Sequence, residues 1–409
     1  MYASFSFHLP TNVCFGRNAE KEAGRLIREC GGHHALVIYG SQRIIRSGLL
    51  ARIHASMDEA GIAWTDLGGV VPNPRLSLVH EGIALGRQAQ ADFLLAVGGG
   101  SVIDTAKAIA LGLASEGEVW DFFAHTRTPE ASQPVGAVLT IAASGSEMSN
   151  SAVITNEELG IKRSCNHPLE KPVFAIMNPE LTLTLPPYET ACGCTDILMH
   201  TLERYFSAEG TMAITDSIAE ALMRQVMASS LILLDHPDQY EARADIMWAG
   251  SLSHNGLTGC GGDGGDWACH GLEHELSARY DVAHGAGLAA IWGSWARFVM
   301  LSALPRFRRL AEEVLRIPAG KSDAETALAG IEAMEAYFRR IGMPASLQEL
   351  GLNPTAEEIA AMARQCAAIS GGHRGSARVL YEEDMRQIYE GSRSPRQQHA
   401  CIDAGGHLV

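Results

Sequence analysis

The chain has 409 residues, 46% of them hydrophobic and 19% charged, which is enough for two domains with full cores. Lys and Arg number 32 against 47 Asp and Glu, a formal charge of −15 without a long acidic run, which argues against a nucleic-acid or anionic-membrane partner. The apolar stretches fall short of the roughly 20 residues of a bilayer span, and the opening MYASFSFHLPTN has neither a basic n-region nor an apolar h-region, so a soluble, cytoplasmic protein is expected.

The nine cysteines, at positions 14, 30, 165, 192, 194, 260, 269, 366 and 401, are odd in number and irregular in spacing. Buried thiols in a reducing compartment are expected rather than a disulfide framework or zinc knuckles. From residue 17 to 140, amphipathic stretches alternate with short apolar runs at Ala35 to Tyr39, Ile62 to Leu67, Phe93 to Val97 and Val135 to Ile141. Strands alternating with helices predict a parallel α/β sheet. Several runs end directly in glycine, at Gly40-Ser41, Gly68-Gly69 and Gly98-Gly99-Gly100-Ser101, which puts flexible loops at the edge where open parallel sheets bind ligands.

At Gly98-Gly99-Gly100-Ser101 the glycines let backbone N–H groups approach an anion, and the helix that begins there offers its positive dipole end. The competing reading is a strand-to-helix turn capped by Ser101 and Asp104, with no ligand. The G-x-G-x-x-G fingerprint is absent, since position 103 is Ile. Thr140, Ser144, Gly145 and Ser146 leave the next strand as a second Ser/Gly segment, either an ordinary loop or the other half of a dinucleotide site.

After Leu185-Pro186-Pro187 the character changes. Thr190 to Ser207, Ile214 to Leu234 and Ile331 to Ile341 carry apolar residues at helical spacing, so residues 1–187 and 188–409 are the expected domains, the second mostly helical. The polar stretch from Gly391 to Val409 reads as a loose tail. Asp196 and His200 are four apart and share a helix face, as do His270 and His274, and His284 follows at a turn into a new helix. One carboxylate and three imidazoles make a site that suits zinc or ferrous iron with a position left open for a substrate oxygen. Either pair alone is also what a surface or capping pair looks like. Their apolar flanks favour the metal, because burying such groups without one strands polar atoms. One of the four histidines is then spare, and His274 would act beside the ligands or relay a proton.

Four segments, Phe93 to Ala110 (FLLAVGGGSVIDTAKAIA), Leu139 to Met148 (LTIAASGSEM), Gly193 to Tyr205 (GCTDILMHTLERY) and Asp266 to Gly287 (DWACHGLEHELSARYDVAHGAG), resemble in order and spacing the iron-containing, or group III, alcohol dehydrogenases. The subgroup they are most similar to is the butanol dehydrogenases that reduce aldehydes with NADPH. The resemblance implies an N-terminal Rossmann-like α/β domain with a parallel sheet and an all-α C-terminal domain, the dehydroquinate synthase-like fold, with a cleft between them for cofactor and metal. It implies that Asp196, His200, His270 and His284 bind Fe2+ or Zn2+, with His274 beside them near a small alcohol or aldehyde substrate. It further implies that Gly98, Gly99, Gly100 and Ser101 hold the pyrophosphate with Asp104 nearby, that Thr140, Ser144 and Ser146 form a second cofactor segment, that Asn73 and Lys162 are further contacts, and that the chain is a homodimer.

After Tyr39 the NADPH-using subgroup usually reads three glycines and a serine, whereas this chain reads Gly40-Ser41-Gln42-Arg43, with no acidic residue to accept from a ribose 2′-hydroxyl. Arg43 is positioned to pair with a 2′-phosphate, so NADP is expected over NAD. Asn178-Pro179 stands in place of Asp-Pro, and Gly293 stands where a proline often follows the last metal-binding helix. Three rival functions are a non-redox lyase on the related scaffold, a metal hydrolase using Glu273 or Glu275, and a binding protein. A lyase cleft would want more Lys and Arg than the single Arg279 between Asp266 and Gly287.

Overall fold

The computed structural model describes residues 3–40, 42–207 and 212–394; Ser41 and most of the expected tail, from residue 395, lie outside the described residues. The described residues form two compact units, one made of Phe7–Pro186 with Asp235–Gly256, the other of Pro187–Leu234 with the described residues from Leu257 to 394.

The first unit is built on a six-stranded sheet, parallel throughout, whose neighbouring strands in order are Asn12–Phe15, Phe174–Met177, Val135–Leu139, Phe93–Gly98, His34–Tyr39 and Ala63–Leu67. The strands are β1 (Asn12–Phe15), β2 (His34–Tyr39), β3 (Ala63–Leu67), β4 (Phe93–Gly98), β5 (Val135–Leu139) and β8 (Phe174–Met177). Every residue of β4 and β5 is buried, as expected of continuous apolar runs in strands covered on both faces. From β2 the chain goes outward to β3 and then returns to the other side of β2 for β4, so the topological switch lies between β2 and β4. A separate antiparallel hairpin, β6 (Ser151–Asn156) with β7 (Ile161–Asn166), was not read from the sequence. The Tyr240–His254 helix packs in this unit although it follows residue 187, and Ser251 Oγ donates to the buried Glu147.

The second unit is helical. Its helices include Pro187–Tyr205, Ala213–Asp235, Ala268–Tyr280, His284–Val299 and Asp323–Arg340. Phe206, Trp295 and Phe307 pack against one another, buried, in edge-to-face and tilted arrangements with ring centroids 4.3 to 6.0 Å apart. By length and composition Ala213–Asp235 would cross a membrane, a feature that the expectation of short apolar stretches missed. Its Asp216 and Glu220 are buried and paired with Arg306 at 2.8 Å and Arg309 at 2.5 Å, which marks a helix packed into a protein core. Gly293 lies inside the His284–Val299 helix rather than after it, and a Cβ there would stand 1.9 Å from the Glu335 carboxylate that pairs with Arg297. Asn178 caps the short helix Pro179–Thr182 through its side chain, so the Asn-Pro step keeps an ordered turn.

Candidate functional site

In the helical unit, Asp196 and His200 lie on the Pro187–Tyr205 helix, His270 and His274 on Ala268–Tyr280, and His284 begins His284–Val299. Asp196, His200 and His270 are buried; His274 and His284 are half-buried. Asp196 Oδ1 is the focus, with His200 Nδ1 at 3.3 Å and both His270 Nε2 and His284 Nε2 at 3.7 Å. Asp196, His270 and His284 each bring a ligand atom to within 4.8 Å of the other two. His200 stands beside that trio, its ring centroid 4.6 Å from that of His270. His274 is further round, 5.6 Å from His284 and 6.5 Å from His270.

Asp196 Oδ1 and His270 Nε2 are both buried and neither has a hydrogen-bond partner. Two acceptors facing each other need a proton or a cation between them. Bonds of about 2.1 Å to a tetrahedral ion would put ligand atoms about 3.4 Å apart, close to the observed spacing, and one carboxylate among imidazoles suits zinc or ferrous iron. Burial disfavours a charged His270, but the Asp196 and Glu203 carboxylates outweigh it and raise its pKa to about 9, so a proton sits on the Nε2 side unless a metal cation takes its place.

Two residues not read as part of the site also belong to it. Glu203 accepts from His270 Nδ1 at 3.0 Å, and Glu273 engages His284 Nδ1. The signal for Glu203 was available, since Asp196, His200 and Glu203 follow i, i+4, i+7 on one face. Glu273, the water-activating base of the hydrolase alternative, is instead fully buried and held by His284 and Ser277. Two features set the helices. Gly285 lets the His284 helix lie against the Pro187–Tyr205 backbone, where a Cβ would stand 2.1 Å from the Cys192 carbonyl oxygen. Trp267 turns the chain into the His270 helix with φ of 59°, costly for a bulky residue, and stacks beneath the Arg204 guanidinium 4.6 Å from its ring centroid.

In the α/β unit the expected cofactor residues gather at the carboxyl ends of the adjacent strands β2, β4 and β5. Gly40 follows β2, Gly98 ends β4, and Thr140 follows β5, its N–H donating to the Gly98 carbonyl at 3.0 Å. Arg43 is exposed in the helix Gln42–Arg46. The Gly100–Leu113 helix starts from Gly99 without a side-chain cap. Ser101 and Asp104 therefore do not form the capped turn of the competing reading. Asp104 instead accepts from Ser146 Oγ at 2.6 Å and the Val153 N–H at 3.0 Å, and burial pushes its carboxyl up. The two segments touch at the glycines: a Cβ on Gly99 would lie 2.0 Å from Ile141, and one on Gly100 2.2 Å from Ser144 Oγ. Lys162 Nζ donates to Asn73 Oδ1 at 2.9 Å, both buried, with Asn73 held at φ of 54°. Uncapped N–H groups at the switch point with hydroxyls alongside fit a dinucleotide phosphate.

The family model described as iron-containing alcohol dehydrogenase matches residues 10–179, and that of the C-terminal part of the Fe-containing alcohol dehydrogenase family matches residues 190–392. The chain is similar to NADH-dependent butanol dehydrogenase A of Clostridium acetobutylicum, 38% identical over 390 residues that cover 95% of this chain and 99% of that one. It is also similar to the NADPH-dependent aldehyde reductase YqhD of Escherichia coli, 33% identical over 396 residues covering 95% and 100%. Among solved structures, NADH-dependent butanol dehydrogenase A of Thermotoga maritima matches with a TM-score of 0.92 at 36% identity, covering 96% of this chain and 99% of that one.

Proposed function

The chain belongs to the iron-containing alcohol dehydrogenase family, and from that premise we propose that it reduces small aldehydes, and oxidises the matching primary alcohols, at a centre held by Asp196, His200, His270 and His284. The observation that carries this reading is that Asp196 Oδ1 and His270 Nε2, 3.7 Å apart where three helices meet, are both buried without a hydrogen bond. Asp196, His200, His270 and His284 would hold a divalent iron or zinc ion, which would supply Lewis-acid polarisation of the substrate carbonyl, the hydride coming from a nicotinamide. The protein's own groups bind and orient. The N–H groups at Gly99 to Ser101 take the pyrophosphate, Thr140, Ser144 and Ser146 flank it, and the Asn73–Lys162 pair adds a buried cation near that edge. His274, half-buried beside His284, passes the product alcohol its proton from an imidazole nitrogen.

NADPH is the proposed dinucleotide, because no carboxylate stands between Gly40 and Arg46 and Arg43 suits a 2′-phosphate. The relatives named above include an NADH-dependent and an NADPH-dependent enzyme, so this choice needs its own test. A homodimer is proposed on the family resemblance, to be checked by sedimentation. A cytoplasmic location is proposed on the odd number and irregular spacing of the cysteines, which suit a reducing compartment. The comparisons lend the lyase alternative no support.

The experiment is oxidation of NADPH and NADH by a panel of short aldehydes, on protein stripped of metal and then restored with ferrous iron or zinc. Metal-dependent oxidation that prefers NADPH is expected. Undiminished oxidation by stripped protein would sink the metal centre, and a preference for NADH would sink the role given to Arg43.

A further inference from the structure

Two buried glutamates behind the histidines have no part in the reaction described above. Glu203, on the Pro187–Tyr205 helix, accepts through Oε1 from His270 Nδ1 at 3.0 Å and from the His270 backbone N–H at 2.9 Å. That N–H belongs to the first turn of the Ala268–Tyr280 helix, which the N-cap residue Trp267 does not cap with its side chain, its indole N–H donating to the Gly264 carbonyl instead. Asp266 accepts from the Ala268 N–H at 3.1 Å, and the carboxylate from the neighbouring helix accepts from the His270 N–H, both at the favourable end of the dipole. Glu273, on Ala268–Tyr280, engages His284 Nδ1 through Oε2 and Ser277 Oγ through Oε1. The links run in sequence: the helix carrying Asp196 and His200 orients His270, and the helix carrying His270 orients His284.

An ionised carboxylate only accepts, so the imidazole nitrogen facing it carries the proton and the other nitrogen presents a lone pair. Both Nε2 atoms face Asp196 Oδ1 at 3.7 Å, and that of His270 is buried with no hydrogen-bond partner. A His–Glu pair that merely joined two helices would gain nothing by aiming lone pairs at a third acceptor. We propose that Glu203 and Glu273 are positioning residues for the metal. They fix the tautomer and direction of His270 and His284 and strengthen them as ligands, so the affinity and geometry of the centre depend on both. The proposal rests on the metal-centre reading above.

The test loads metal-free protein with Co2+, whose visible absorption reports ligand geometry, and measures affinity by competition with a chelator. Glu203→Gln and Glu273→Gln keep an acceptor oxygen and remove the charge. Each is expected to bind Co2+ about 10- to 100-fold more weakly, with an altered visible band and a smaller rise in melting temperature on adding Co2+. NADPH binding and the melting of the metal-free protein should stay near wild type. Wild-type Co2+ affinity and band shape in both variants would overturn the proposal. If the unaltered protein takes up no Co2+, or His270→Ala takes it up unchanged, the metal-centre reading has itself failed. Should a Gln variant not fold, Ser277→Ala, which removes the hydroxyl supporting Glu273, and Glu203→Asp, which shortens the reach to His270, are each expected to shift the band; an unshifted band overturns the corresponding half.

Discussion

His270 and His274 sit one turn apart on the same helix yet differ in what surrounds them, and their substitutions should separate. His270→Ala is expected to lose metal and activity together, as is His200→Ala, measured by metal content beside aldehyde reduction. His274→Ala should keep its metal and lose about 100-fold or more in rate, the size of a general acid–base contribution; full rate in that variant would remove its proton-relay role. In the α/β unit, Lys107 is fully buried one turn after Asp104, and its ammonium donates to the carbonyls of Ser149 at 3.1 Å and Ser151 at 2.8 Å. Burial pulls its pKa down, while Asp104, Glu170 and Glu147 push back. Lys107→Met would strand two carbonyls and leave those buried acids without their cation, at a cost of about 3–5 kcal/mol by analogy with broken buried pairs. Urea unfolding checks this, and a loss below about 1 kcal/mol would show that the acids are protonated and need no cation.

Between elements, the centre depends on how closely two helices approach. Gly285→Ala places a methyl group 2.1 Å from a backbone oxygen that no side-chain rotation relieves. The His284 helix must then shift, with an expected loss of metal affinity of tenfold or more and nucleotide binding unchanged, read by chelator competition and nicotinamide fluorescence. Elements with a strong local signal were legible in the sequence: β2, β4 and β5 as apolar runs closed by glycine, and the Asp196–His200 pair at helical spacing. The β6–β7 hairpin was not, because Lys162 and Arg163 interrupt the apolar pattern of β7 and its stability comes from pairing across the turn. The capping of Ala268–Tyr280 by Glu203 was equally invisible, since its two partners are 67 residues apart.

At the scale of the molecule, the proposed metal and nucleotide sites fall in different units. Adding metal to stripped protein should slow hydrogen exchange in Pro187–Tyr205, Ala268–Tyr280 and the start of His284–Val299, while NADPH should slow it around Gly98 to Ser101 and Thr140 to Ser146, each ligand stabilising what it binds. Metal-dependent protection of the nucleotide loops alone would contradict the assignment. The sequence by itself determined the α/β half, the helical half and the helical spacing of the candidate ligands, because periodicity, glycine placement and i, i+4 spacing are properties of neighbouring residues. Only the tertiary structure decided that Tyr240–His254 returns to the first unit, that Asp196 faces His270 and His284 across 3.7 Å, and that Glu203 and Glu273 stand behind those histidines. Such contacts join residues far apart in the chain, and the packing of whole helices, rather than any local preference, brings them within bonding distance.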